Sequence, residues 1–203
     1  MIVVAIDIGY VNMGVTRAII DEEYDVSFTR AFKDDITVMK HNTVKPCNCC
    51  IPHTKETVDR VAHFIQEHRP LFDEADAILV ERQPLTGLNN VEALIVSSFR
   101  NKAVIISPNK MHKHFRISHF DYETRKVKTN EIAFPYVHFL DSYACLERQH
   151  DIADAVCMTL FHASCLKDKN KYKRRIERLP FDEYRYVRPA NHIRTNTPGN
   201  SFS

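Results

Sequence analysis

With 203 residues, 44% of them hydrophobic and 27% charged, the chain has an ordinary globular composition and the length of one domain with a short appendage. No apolar run approaches the length of a membrane span and no basic n-region precedes the first strand pattern, so neither a membrane partner nor a secretory route is expected. The net charge of +2 hides an asymmetry: residues 167–203 carry ten Lys or Arg against four acids, a net +6, which leaves −4 for residues 1–166. An acidic body with a basic tail suits a polyanionic partner. An intracellular setting is expected, with the six cysteines reduced.

In chain order, Ile2 to Asp7 reads as a buried strand. Gly9 and Gly14 bracket a tight turn, and Val15 to Ile20 resumes the strand pattern. Tyr24 to Phe32 alternates with period two, so three consecutive strands predict an antiparallel meander. Ile36 to Met39 is a further short extended piece. A loop over residues 40–53 leads to a helix capped by Thr54, carrying Val58, Val61, Ala62 and Ile65 and stopping before Pro70. Ala75 to Glu81 is the next strand. A helix capped near Asn89 or Asn90 follows, then a buried strand over Ala103 to Ile106. A short helix to Phe115 precedes a basic helix from about Tyr122 to Phe134 and a helix from about Asp151 to Leu166. This order predicts an α/β fold with a mixed central sheet flanked by helices. Residues 1–168 form the expected domain, and residues 169–203 a basic, partly irregular C-terminal tail.

Four carboxylates occupy three separate places. Asp7 ends the run Ile2-Val3-Val4-Ala5-Ile6, Glu81 ends Ala77-Ile78-Leu79-Val80, and Asp151 and Asp154 stand at i and i+3 on one helical face. Each has an ordinary explanation: a turn cap, a strand exit paired with Arg82, an acid favoured by a helix dipole. Asp154 resists such a reading because it lies among Ile152, Ala153, Ala155 and Val156. Together they describe a site for hard divalent cations, Mg²⁺ or Mn²⁺, with Asp7 the expected bridge between two ions about 4 Å apart that would serve phosphodiester hydrolysis.

The strings Val3-Val4-Ala5-Ile6-Asp7-Ile8-Gly9, Ile78-Leu79-Val80-Glu81-Arg82-Gln83-Pro84 and His150-Asp151-Ile152-Ala153-Asp154-Ala155 resemble, in order, the three acidic motifs of RuvC-type Holliday junction resolvases. The resemblance spans about residues 1–166 and is closest to the branch encoded by large DNA viruses of the poxvirus and iridovirus kind. It implies a ribonuclease H-like fold, a homodimer, and Mg²⁺- or Mn²⁺-dependent cutting of four-way DNA junctions in recombination and repair. By motif match, Asp7, Glu81, Asp151 and Asp154 would bind the metal. For a viral protein, the host cytoplasm or nucleus at sites of viral DNA replication would be its location. The family also places lysines near the scissile phosphate. Here Lys113 (or Lys110) and Lys126 are the candidates, with His112 at the position nearest the bacterial pattern's first lysine.

Cys47, Cys49, Cys50 and His53 are a candidate structural zinc set, with His41 as an outside ligand. Their crowding within seven residues makes chelation of one ion awkward and favours partly buried loop thiols instead. Cys157 and Cys165 read as packing residues. Three other functions compete. A sugar-kinase or actin-like ATPase needs more than the four glycines present. A ribonuclease H would cut RNA in hybrids or act on other branched DNA. A non-catalytic junction-binding module would not need the acidic set.

Overall fold

The computed structural model describes residues 1–37, 39–40, 43–44, 51, 54–140, 143 and 149–177. Cys47, Cys49, Cys50, His53 and His41 lie outside the described residues. Three strands, β1 (Ile2–Asp7), β2 (Met13–Ile20) and β3 (Val26–Asp34), form the antiparallel meander, with a register shift between Arg17 and Ala18. A separate pair, β4 (Met39–Lys40) and β5 (Thr43–Val44), follows. Strands β6 (Ala77–Glu81) and β7 (Ala103–Ile106) then add to the free edge of β1 in parallel, giving the order β3-β2-β1-β6-β7. The expected mixed sheet is therefore present.

Strand β1 is a continuous apolar run because helices cover both faces of the sheet. Successive side chains point to opposite faces. Val4 and Ile6 pack with Val61 and Phe64 of α1 (Thr57–Glu67) and with Val91 and Ile95 of α3 (Asn89–Ser98). Val3 and Ala5 pack with Ala155, Met158 and Ala163 of α6 (His150–Glu177) and with Met111 of α4 (Pro108–His114). Ala133 and Val137 of α5 (Tyr122–Val137) meet Ala18, Phe28 and Ala31 together with Ile152 and Val156. The Asp121 side chain caps α5, accepting from the Thr124 N–H at 3.0 Å and from its hydroxyl at 2.8 Å.

Several boundaries differ from the sequence reading. Helix α1 begins after Glu56, not Thr54, whose hydroxyl instead accepts from the Glu56 N–H at 3.1 Å. Pro70 does not end helical structure. It occupies the first turn of a new helix, α2 (Arg69–Glu74), where its missing N–H has no intrahelical partner to lose. Helix α6 outlasts its apolar stripe and runs to Glu177, through Lys- and Arg-rich sequence of good helix propensity. The chain forms two compact units, Met1–Lys167 and Asp168–Ser203, of which the second is described only through Glu177.

One glycine fixes where α6 begins. Gly14 pairs with Asp7 across the β1–β2 ladder, and a Cβ there would stand 2.0 Å from the Asp151 carbonyl oxygen. Only glycine lets the first turn of α6 lie this close to the sheet. Gly14→Ala is expected to destabilise the protein by about 1–3 kcal/mol by forcing backbone apart. Chemical denaturation measures this, and a loss below ~0.5 kcal/mol would contradict the close approach.

Candidate active site

Period-two alternation carries the acids to one side of the sheet. Val3 and Ala5, and Ala77 and Leu79, face α6. Asp7 and Glu81 continue those two series at the carboxyl ends of adjacent parallel strands, one step beyond the Ile6–Val80 pair. Asp154 projects from the second turn of α6 toward the same place. Its carboxylate is ion-paired with Lys126 of α5. One turn further along α6, the Cys157 Sγ lies 3.8 Å from the Thr129 carbonyl, where α5 and α6 pack.

A small cleft of about 110 Å³ opens here, lined by Glu81, His112, Tyr122, Arg125, Lys126, Thr129 and Asp154. Its electrostatics are those of crowded acids in a dry place. Burial raises the Asp7 carboxyl well above its ordinary range, the Glu81 and Asp154 charges push it further, and Lys126 opposes them. Glu81 is raised as well, first by burial and then by Asp154; its contacts with Asp7 and Gln83 pull the other way. Asp7 and Glu81 thus titrate as a pair. Burial lowers Lys126, but the Asp154 ion pair, with Asp7 and Tyr122 adding to it, turns the net shift upward, so the ammonium persists at neutral pH. His112 is lowered, first by burial, with Arg125 and Lys126 adding to it against Asp154, which favours a neutral imidazole. Burial, reinforced by Asp154, keeps the Cys157 thiol protonated.

The structure brings Asp7, Glu81, Asp154 and Lys126 together. Asp151 is buried one turn before Asp154, its Oδ1 3.3 Å from the His150 Nε2. Lys113 and Lys110 are exposed and neither lines the cleft; His112 does. Helix α4 turns the intervening side chain inward, so the lysine chosen from the sequence faces solvent. Gln83 was not foreseen: its amide donates to Glu81 Oε2 at 2.6 Å. Its sequence signal is its place in the Glu81-Arg82-Gln83-Pro84 string, two residues after the acid.

Three oxygen-donor acids around a buried negative centre fit a hard divalent cation, which would relieve the repulsion that burial intensifies. Lys126 already offsets part of that charge. A second ligand group was also not foreseen: Asp34, Glu67 and His68 bring one donor atom each within 4.8 Å of one another. Among the described residues no other three donors, those of Asp7, Glu81 and Asp154 included, come together at this distance. His68 Nε2 and Asp34 Oδ2 are 2.9 Å apart, and the imidazole ring lies tilted against Phe32 with centroids 4.9 Å apart, so this pair also pins the end of α1 to β3.

The raised carboxyls have a thermodynamic consequence. An acid whose pKa rises on folding takes up protons on folding. It therefore weakens the metal-free fold as pH climbs from the ordinary carboxylate range through the raised value. Asp7→Asn removes that penalty. In EDTA, the variant is expected to melt above wild type at pH 7–8, and the gap should close toward about pH 4. Melting temperatures across pH decide this, and a variant less stable than wild type throughout would contradict it.

No family model matches the chain, and no curated protein matches it in sequence. Solved structures do. The fowlpox virus resolvase, crystallised with Holliday junction DNA, aligns with a TM-score of 0.58 at 18% identity over 82% of this chain and 99% of that one. The yeast mitochondrial Holliday junction resolvase Ydc2 aligns at 0.55 and 16% identity, covering 85% of each chain. RuvC of Thermus thermophilus aligns at 0.54 and 15% identity, covering 83% of this chain and 97% of that one. Viral, mitochondrial and bacterial proteins thus share one arrangement of strands and helices with this chain, which has the ribonuclease H-like fold of the RuvC-type Holliday junction resolvases.

Proposed function

We propose that this protein is a divalent-metal-dependent endodeoxyribonuclease that resolves four-way DNA junctions. The observation that carries the reading is the convergence of Asp7, Glu81 and Asp154, with Lys126, at the carboxyl ends of two parallel strands. The fold it shares with resolvases supports the choice of substrate.

In this reading Asp7, Glu81, Asp151 and Asp154 hold Mg²⁺ or Mn²⁺, as two ions per site. Bound there, a divalent metal would supply Lewis acidity toward the phosphate. The chain's own residues do the rest. Lys126 is held beside Asp154 as a persistent cation, placed to stabilise charge developing on the phosphate. Arg125 and Tyr122 line the approach, and Lys110, Lys113 and Arg116 are exposed along and just after α4, where a phosphate backbone would run. Two paired cuts in a two-fold junction call for a two-fold dimer, so the active species is a homodimer. The Cys47, Cys49, Cys50 and His53 set is its candidate structural zinc site. The basic tail adds phosphate contacts.

The test compares a mobile four-way junction, linear duplex and RNA–DNA hybrid, each with and without Mg²⁺. Wild type is expected to cut the junction in preference. Asp154→Asn should abolish cutting while junction binding survives. Lys126→Ala should slow cutting by about 10²–10³-fold, the scale for losing a preorganised charge at the reacting centre. Faster cutting of the hybrid would make the protein a ribonuclease H, and full activity of Asp154→Asn would sink the metal site. Deleting residues after Lys169 is expected to flatten the dependence of junction affinity on salt. An unchanged slope would remove the tail from the DNA interface.

A further inference from the structure

Glu81 is held by a small hydrogen-bond framework whose anchor is a buried acid on another element. Strand β6 continues past Glu81 for one more ladder bond, from the Arg82 N–H to the Ile106 carbonyl at 2.8 Å. At Gln83 the chain leaves the sheet, and its N–H is taken instead by Glu92 Oε2 at 2.7 Å. The other oxygen of Glu92 is 2.9 Å from Arg82 Nη1. The Glu92 side chain is 7% exposed, against 55% for Arg82, so its charge is kept within the protein with both oxygens engaged. It stands in the first turn of α3, where the helix dipole favours an anion.

The side chain of Gln83 completes the framework. Its Oε1 accepts from the Leu88 N–H at 3.3 Å, which turns its amide nitrogen toward Glu81. That nitrogen donates to Glu81 Oε2 at 2.6 Å. The loop between them is braced as well: Asn89 Nδ2 donates to the Pro84 and Leu85 carbonyls at 2.8 and 3.0 Å. Gly87 leaves the room required, since a Cβ there would come within 3.0 Å of the Gln83 amide oxygen. A carboxylate with one oxygen fixed by an amide can no longer rotate freely, and its remaining coordination is directed.

We infer that Glu92 is a positioning residue for the metal site: by clamping Arg82 and the Gln83 backbone, it aims the Gln83 amide at Glu81 and fixes the carboxylate that a divalent cation must meet. The inference rests on the metal-dependent reading above. Glu92 does not line the cleft. It acts through two intermediates, so its loss should appear first in metal affinity.

The experiment measures Mn²⁺ binding directly, by electron paramagnetic resonance on the full-length protein, together with the Mg²⁺ concentration for half-maximal junction cutting. Junction affinity in EDTA and the melting temperature are the controls. Glu92→Ala is expected to weaken Mn²⁺ binding and raise the Mg²⁺ requirement by about 10- to 100-fold, the usual effect of losing a partner that orients a ligand. Junction affinity in EDTA should not change. Gln83→Met, which cuts the same chain of contacts at its last link, should produce the same shift even if Glu92→Ala fails to fold. Glu92→Gln, which can still accept from the Gln83 N–H, should recover most of the loss. Variants that fold and bind Mn²⁺ as wild type does would overturn the inference, because a purely structural brace lowers melting temperature alone. A wild-type protein that takes up no Mn²⁺ would overturn the metal reading and this inference together; wild-type binding with unaltered variants overturns this inference alone.

Discussion

The mutual repulsion of Asp7, Glu81 and Asp154 in a partly dehydrated cleft is the constraint around which this end of the sheet is built. Burying one ionised carboxylate is unfavourable, and gathering three compounds the penalty through their like charge. The fold meets part of it with Lys126, whose ammonium is bound to Asp154 and stays protonated. Gln83 donates to Glu81 and meets a further part. What is left is a deficit of positive charge among oxygen donors, which is the condition under which a protein binds a hard divalent ion.

The architecture serves that gathering. Two parallel strands end side by side, and alternation turns Asp7 and Glu81 to the face covered by α6. Helix α6 can approach only because Gly14 offers no side chain where the Asp151 carbonyl lies. Helix α5 packs beside α6 and delivers Lys126 across to Asp154. Helix α3, on the opposite face, contributes no ligand but supplies the acid that holds the residues after Glu81. Each layer thus has a geometric role at the sheet end as well as a share of the core.

Local pattern made part of this legible in the sequence. The strand–acid boundaries at Asp7 and Glu81, the three-strand meander and the i, i+3 acids of α6 all follow from periodicity over a few residues. Lys126 was also within reach, because its basic helix stands out. Features fixed by distant partners were not. Helix α2 carries Pro70 in its first turn, a permitted position, which a reading of proline as a stop cannot anticipate. His112 faces the cleft while Lys113 faces solvent, a matter of the rotation of a short helix against the sheet. Glu92 looks like an ordinary first-turn acid until Gln83 and Arg82 are seen across from it. The Asp34–Glu67–His68 group joins the end of a strand to the end of a helix more than thirty residues on, a separation that no short motif records.

The electrostatic account has a direct measure in the protons displaced when metal binds. If folding raises the carboxyls of Asp7 and Glu81, a divalent cation must drive off the proton they retain. Calorimetric titration of wild-type protein with Mn²⁺ near neutral pH, in buffers of different ionisation enthalpy, reads that release. Saturable binding is expected, accompanied by net proton release that grows as pH is lowered and shrinks in Asp7→Asn, where Glu81 alone of the pair remains. Binding without proton exchange, or proton release unaffected by Asp7→Asn, would contradict it.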